Sequence, residues 1–134
     1  LVKAKGIAVY SWRAKRYLHR IHAWPWKYSL GRTELIKIAT EGYSLCVFDF
    51  SGSGKSEGTC VTYGSKEKHD IGISHSYLEA ILKVLRLRYS KFVLWGRSMG
   101  AVSALLHTIS YHNPSDVIML VLDSPFSSFE QITK

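Results

Sequence analysis

Ser98 stands in the run Gly96-Arg97-Ser98-Met99-Gly100, a G-x-S-x-G pattern. A serine hydroxyl so placed can attack an acyl carbon, provided that a base takes its proton. The flanks give the pattern its meaning. Phe92 to Trp95 is a short apolar run rich in β-formers, and a helical pattern runs from Ala101 onward. Strand, G-x-S-x-G, helix is the setting of a nucleophile elbow. The reason is steric: the serine occupies a tight, strained turn, and Gly96 and Gly100 leave room for strand and helix backbones to pass closely. The hydroxyl then points out at the carboxyl edge of a sheet. The N–H of Met99, at the start of the helix, lacks a helical acceptor and can serve an oxyanion. The bland alternative is a strand-to-helix turn that happens to carry a serine, since five-residue matches arise by chance.

The partners such a serine needs are harder to find. His107 and His112 follow on the same helix, roughly 13 and 20 Å along its axis from the serine, and read as surface or core residues. His69 and His75 fall in a long helical pattern and read as solvated, while His19 and His22 lie in a stretch without periodicity. Asp123 ends the next apolar strand on the same sheet edge. It is a candidate triad acid, set against the commoner role of a turn carboxylate before Ser124-Pro125. Asp49 opens the glycine-rich loop Asp49-Phe50-Ser51-Gly52-Ser53-Gly54-Lys55-Ser56. Its carboxylate is expected to fix that loop around Gly52 and Gly54 by hydrogen bonding. Arg97 could meet an anionic group of a substrate, against a plain exposed role. Gly54-Lys55-Ser56 invites a phosphate-loop reading. The pattern G-x-x-x-x-G-K-[ST], however, needs a glycine where Asp49 stands, and no helix follows directly.

The elements that must position these groups alternate. Gly6 to Tyr10 reads as a short strand, Thr33 to Glu41 as a helix with Gly42 beyond its end, and Tyr43 to Phe50 as a strong strand. Lys66 to Tyr89 reads as a long helix. Ile71, Ile73, Leu78, Ile81, Leu82 and Leu85 form its apolar stripe, and Gly72 weakens its beginning. After the elbow, Ala101 to Tyr111 is a helix, Val117 to Leu122 a buried strand, and Phe126 to Lys134 the start of a last helix. Alternation of this kind predicts βαβ units, a parallel sheet and helices on both faces. Both Gly/Ser loops, after Phe50 and after Trp95, would then share the carboxyl edge where such sheets bind ligands.

Between residues 11 and 32 the pattern fails. Trp12, Tyr17, Trp24, Trp26 and Tyr28 are interleaved with Arg13, Lys15, Arg16, Arg20 and Lys27, and Pro25 breaks any helix. The net charge of +8 belongs wholly to this end. Residues 1–40 hold nine Lys or Arg against Glu34 alone, and the remainder is balanced. Two units follow: an irregular basic, aromatic segment over 1–32 and an α/β core over 33–134. The sudden loss of periodicity is what an aberrant translation, such as a misread frame or an unspliced insert, would leave. A hydrophobic content of 46% with 21% charge is ordinary for a globular chain of 134 residues. No apolar run approaches the ~20 residues of a membrane span. Leu1 in first position points to a fragment or a processed product. Cys46 and Cys60 make no disulfide framework, and a reduced, buried Cys46 fits a cytoplasmic setting.

Taken together, the chain resembles the α/β-hydrolase superfamily over about residues 34–134. Asp49 to Ser56 is similar to that family's D-x-R-G-x-G-x-S loop, which follows the strand next to the nucleophile strand. The elbow at Gly96 to Gly100 and the strand and loop Val121 to Phe126 come in the family's order. The nearest likeness is to serine aminopeptidase-like or dienelactone-hydrolase-like serine hydrolases. The resemblance implies a partial, three-layer α/β/α fold with a mostly parallel sheet. It also implies a serine hydrolase that cleaves a small-molecule ester or thioester, an amide or a peptide through an acyl-serine at Ser98, with no metal or organic cofactor. The family's acid and histidine come later than the strand at Val117, where this sequence stops. Its His-Gly oxyanion loop is not matched, because Arg20 follows His19.

Two other classes compete with a hydrolase. One is a catalytically inactive, hydrolase-like binding protein or pseudo-enzyme. The other is a nucleic-acid or anion binder acting through the basic, aromatic N-terminal segment, around which no recognised binding module appears. The expected result with labelled single-stranded RNA is no mobility shift, even at low salt. A shift that fades as salt rises would assign the N-terminal segment to nucleic acid.

Overall fold

In a computed structural model of the chain, residues 7–11, 44–54, 56–84, 86, 91–110 and 116–128 are described. They form β1 (Ile7–Ser11), β2 (Ser44–Phe48), α1 (Glu67–Val84), β3 (Phe92–Arg97), α2 (Met99–Ser110) and β4 (Val117–Asp123). The helix expected over Thr33–Glu41, most of the irregular segment and the chain beyond 128 lie outside the described residues. Residues 126–128, where a last helix was expected to begin, are not helical.

The chain is of the α/β class, with one four-stranded sheet in the order β2-β1-β3-β4. The sheet is mixed rather than mostly parallel. β1 runs antiparallel to both neighbours, with Ile7 opposite Phe48 on one side and Gly96 on the other. Only β3 and β4 pair in parallel, with Leu94 opposite Leu120 and Arg97 opposite Asp123. The period-2 pattern of a short strand is the same read in either direction, so it does not encode orientation. Two reversals restore the sense, and β2, β3 and β4 point the same way. The strand that feeds the glycine loop is thus separated from β3 by β1, and is not its direct neighbour.

Among the described residues both helices lie on one face of the sheet, so two layers are seen and not three. β3 shows why. Phe92 and Leu94 are buried toward the helices, while Val93 and Trp95 alternate to the other face and are half-buried. The core joins Phe50, Ile71, Leu78, Phe92, Leu94, Ala104 and Val117, with Cys46, Phe48, Met99, Leu120 and Leu122 at its margin. Phe48 and Phe50 meet edge to face at 5.5 Å between ring centres. Burial pushes the Cys46 thiol up to about 11, which leaves it protonated at neutral pH. No helix among the described residues is long and apolar enough to cross a membrane.

α2 sits over β3 and β4 because its inward face is small: Gly100, Ala101, Ser103 and Ala104 are buried. The buried hydroxyl of Ser103 donates back to the Met99 carbonyl at 2.7 Å. His107 is also buried, and its Nδ1 lies 2.9 Å from the Lys68 carbonyl of α1. A carbonyl only accepts, so the proton sits on Nδ1. Burial holds this imidazole below its ordinary value against the raising effect of that carbonyl, and the neighbouring His75 and His69 lower it further.

α1 buries a stripe that starts polar and ends apolar: Glu67, Asp70, Ile71, Leu78 and Leu82. Ile73, expected in the stripe, is 56% exposed, because it stands two positions from Ile71 and points off the face. Gly72 has a packing role besides its cost to the helix start. It lies inside α1, where an added Cβ would come within 3.3 Å of the His107 ring, so it lets the two helices approach. The helix ends earlier than the periodicity predicts, at Val84. Arg86 turns to φ +54, and its N–H donates to the Lys83 carbonyl at 3.1 Å.

Glu67, 1% exposed, anchors the entry to α1. Its carboxylate accepts the Thr62 N–H at 2.7 Å, the Thr62 hydroxyl at 2.8 Å and the Gly64 N–H at 2.7 Å. Burial alone would raise its pKa. These hydrogen bonds more than offset burial and bring it below the ordinary 4.5. A carboxyl depressed in the folded state adds stability above its unfolded value and loses it as pH falls through the folded one. Glu67→Gln should therefore cost about 1–3 kcal/mol in urea unfolding at pH 7. The gap between parent and variant should narrow below pH 4.5. A gap that stays constant with pH would show that the charge contributes nothing.

Candidate active site at the carboxyl edge of the sheet

β3 ends at Arg97, α2 begins at Met99, and Ser98 makes the whole connection. Its φ is +50, in the left-handed region that a residue with a Cβ enters at a cost of roughly 1–2 kcal/mol. Three backbone hydrogen bonds hold it there. The Ser98 N–H donates to the Asp123 carbonyl at 2.8 Å, tying the bend to the end of β4. The Ser98 carbonyl accepts the Ala101 N–H at 3.0 Å and the Val102 N–H at 3.2 Å, which starts the helix. Gly96 and Gly100 are buried where strand and helix cross, and a Cβ on Gly96 would overlap the carbonyl group of Gly100. Ser98 itself is exposed. Among the described residues no hydrogen-bond partner holds its hydroxyl. Met99 gives the first amide of α2, which has no acceptor within the helix.

Asp123 lies directly across from Arg97 in the parallel register. Its Oδ2 is 3.4 Å from Arg97 Nε, and its Oδ1 accepts the Ser124 hydroxyl at 2.8 Å. The ion pair is exposed, with 52% and 39% of the two side chains open to solvent, and carries at most about 1 kcal/mol. Both carboxylate oxygens of the candidate acid are thus engaged, and Arg97 is spent on it.

The glycine loop leaves the same edge after β2. Gly52 and Gly54 take φ of +74 and +59. The Gly52 N–H donates to the Glu57 carbonyl at 2.9 Å, and the Ser56 hydroxyl to the Asp49 carbonyl at 2.7 Å. The Asp49 carboxylate packs against Gly54, where an added Cβ would displace it. Asp70 of α1 accepts both the N–H and the hydroxyl of Ser51, at 2.9 and 3.0 Å. The loop that follows reaches the segment after β4, where Tyr63 and Phe126 meet at 6.5 Å between ring centres. Among the described residues of this loop nothing is arranged to hold a phosphate. The Ser56 hydroxyl is committed, and the next helix begins only at Glu67, with two buried carboxylates in its first turn.

No described histidine meets Ser98. His107 is bonded to Lys68. His75 is not solvated as its place in the periodicity suggests. Its ring is partly buried, and Nε2 lies 3.0 Å from Asp116 Oδ2, just before the start of β4 and so at the opposite edge of the sheet. His69 is exposed and engaged elsewhere. His19, His22 and His112 lie outside the described residues. Glu67, Asp70 and Asp116 did not stand out in the sequence. The first two look like ordinary first-turn acids, and their signal is only that both fall on the buried stripe. No protein-family model, curated protein or solved structure matches the chain.

The crossing of Gly96 and Gly100 is open to test. Gly96→Ala should lower stability by about 3 kcal/mol in urea unfolding, since the overlap is with backbone that cannot step aside. Arg97→Ala, which breaks only the exposed ion pair, should change it by less than about 1 kcal/mol. Equal effects would contradict the close crossing.

Proposed function

We propose that this chain carries the nucleophile half of a serine hydrolase, which cleaves an ester, thioester, amide or peptide bond through an acyl-serine at Ser98. One observation carries the reading: a serine held at φ +50, exposed, between the end of a parallel strand and the first turn of a helix. That conformation costs free energy, which the surrounding backbone hydrogen bonds sustain, and backbone strain held in this way is common at functional sites. The Met99 N–H is the oxyanion donor in this account. The wider likeness, a partial α/β-hydrolase with a three-layer core, is part of the same proposal. It draws support from the succession of glycine loop, helix, elbow and β4 along the chain. A cytoplasmic setting is proposed on the protonated Cys46 and the free Cys60. The general base must come from outside the described residues, because no described histidine meets Ser98.

A second reading has its own observation. Asp123 is already bound by Arg97 and Ser124, so the acid of a triad is not poised here, as in a hydrolase-like binding protein without activity. A fluorophosphonate probe separates the two. In the full-length natural protein, labelling at Ser98 that disappears in Ser98→Ala is the expected outcome. A folded protein that takes no label would favour the inactive reading.

A further inference from the structure

His75 and Glu79 stand one turn apart on α1, on the same face, four residues being about one turn. Asp116, just before β4, comes up against them from the sheet. One donor atom from each of the three lies within 4.8 Å of the other two. The side chains of His75 and Asp116 are only 15% and 24% exposed. The ring of His75 is held from the side by Phe92, edge to face at 4.4 Å between ring centres, and Phe92 is 1% exposed. Asp116 is pinned through its backbone, whose carbonyl accepts the Phe92 N–H at 2.7 Å. One imidazole nitrogen and two carboxylates are thus brought together on two elements that the core already fixes.

We propose that His75, Glu79 and Asp116 form a binding site for a divalent transition-metal cation of the zinc type. The donor set fits this class. Imidazole and carboxylate together suit zinc, nickel or cobalt, and the two carboxylates balance the charge of the ion. Bonds of about 2.0–2.2 Å to each ligand put tetrahedral donors roughly 3.3–3.6 Å apart. The present spread is therefore closed by small side-chain rotations, with Nε2 of His75 exchanging its contact with Asp116 for the metal. Three protein ligands leave a position for water, which keeps the ion exchangeable. The site is remote from Ser98, since it lies beside the amino ends of β3 and β4 while Ser98 follows the carboxyl end of β3. Its effect is a clamp that ties α1 to the base of the sheet. It does not depend on the hydrolase reading, nor does it supply a step in it.

Zinc alone is the probe, titrated calorimetrically into the full chain. The expected result is one ion per chain, with binding weakened at least about tenfold in Glu79→Gln and in Asp116→Asn. Glu79→Gln keeps the His75–Asp116 contact and so should keep the fold. Zinc should also raise the thermal midpoint of the parent, and that of Glu79→Gln by clearly less at the same zinc concentration, by mass action on the folded state. Cobalt in the same site should give a visible absorption band that zinc abolishes. No zinc binding by the parent would overturn the proposal. So would binding that survives both substitutions unchanged, which would place the ion on other histidines.

Discussion

The structure turns on one crossing of backbones. Strand β3 must hand over to helix α2 in a single residue, and the two segments pass so closely that Gly96 has no room for a side chain against the backbone of Gly100 and Ala101. The residue between them is driven to a positive φ. The strain is local, but its containment is not. Ser98 is tied to the end of β4 through Asp123 and to the first turn of α2 through Ala101 and Val102. Those partners are themselves held by the parallel register and by the small inner face of the helix. A bend of this kind stays put because its surroundings over-determine it.

The rest of the described chain supports that edge. α1 enters through Glu67 and Asp70, two buried carboxylates that bind the loop before it and the glycine loop after β2. Charge buried at the start of a helix is tolerated because every carboxylate oxygen accepts hydrogen bonds from N–H or hydroxyl groups. The same helix reaches the other edge of the sheet with His75 and Glu79. α1 therefore links the loops at the carboxyl edge with the start of β4, and the apolar stripe of Ile71, Leu78 and Leu82 lies between those two polar ends.

Much of this was legible in the residues, and the reason it stopped where it did is physical. The strand at Phe92, the bend at Ser98 and the following helix each carry a local pattern that burial imposes on neighbouring positions. The apolar run at Val117 marks a strand that is not the buried one expected, since only Val117 is buried and Ile118 and Met119 are exposed. β1 was legible as a strand but its direction was not, because alternation has no sense of direction and pairing is decided by distant partners. The polar face of α1 was hidden for a related reason. Glu67 and Asp70 have the residue types of an exposed first turn, and only the loops that fold back onto them make them interior. His75 and Asp116, 41 positions apart in sequence, meet only through the packing of α1 against β3. Ile73 failed in the opposite sense: its type is that of the core, but its angle on the helix is not.

The most direct measurement is a crystal structure of the full-length natural protein after exposure to diisopropyl fluorophosphate. The account predicts a phosphoryl group bonded to Ser98 Oγ, the residue still in the left-handed region, with a phosphoryl oxygen facing the Met99 N–H. An unmodified Ser98, or a helix that runs on through that position with φ negative, would contradict it.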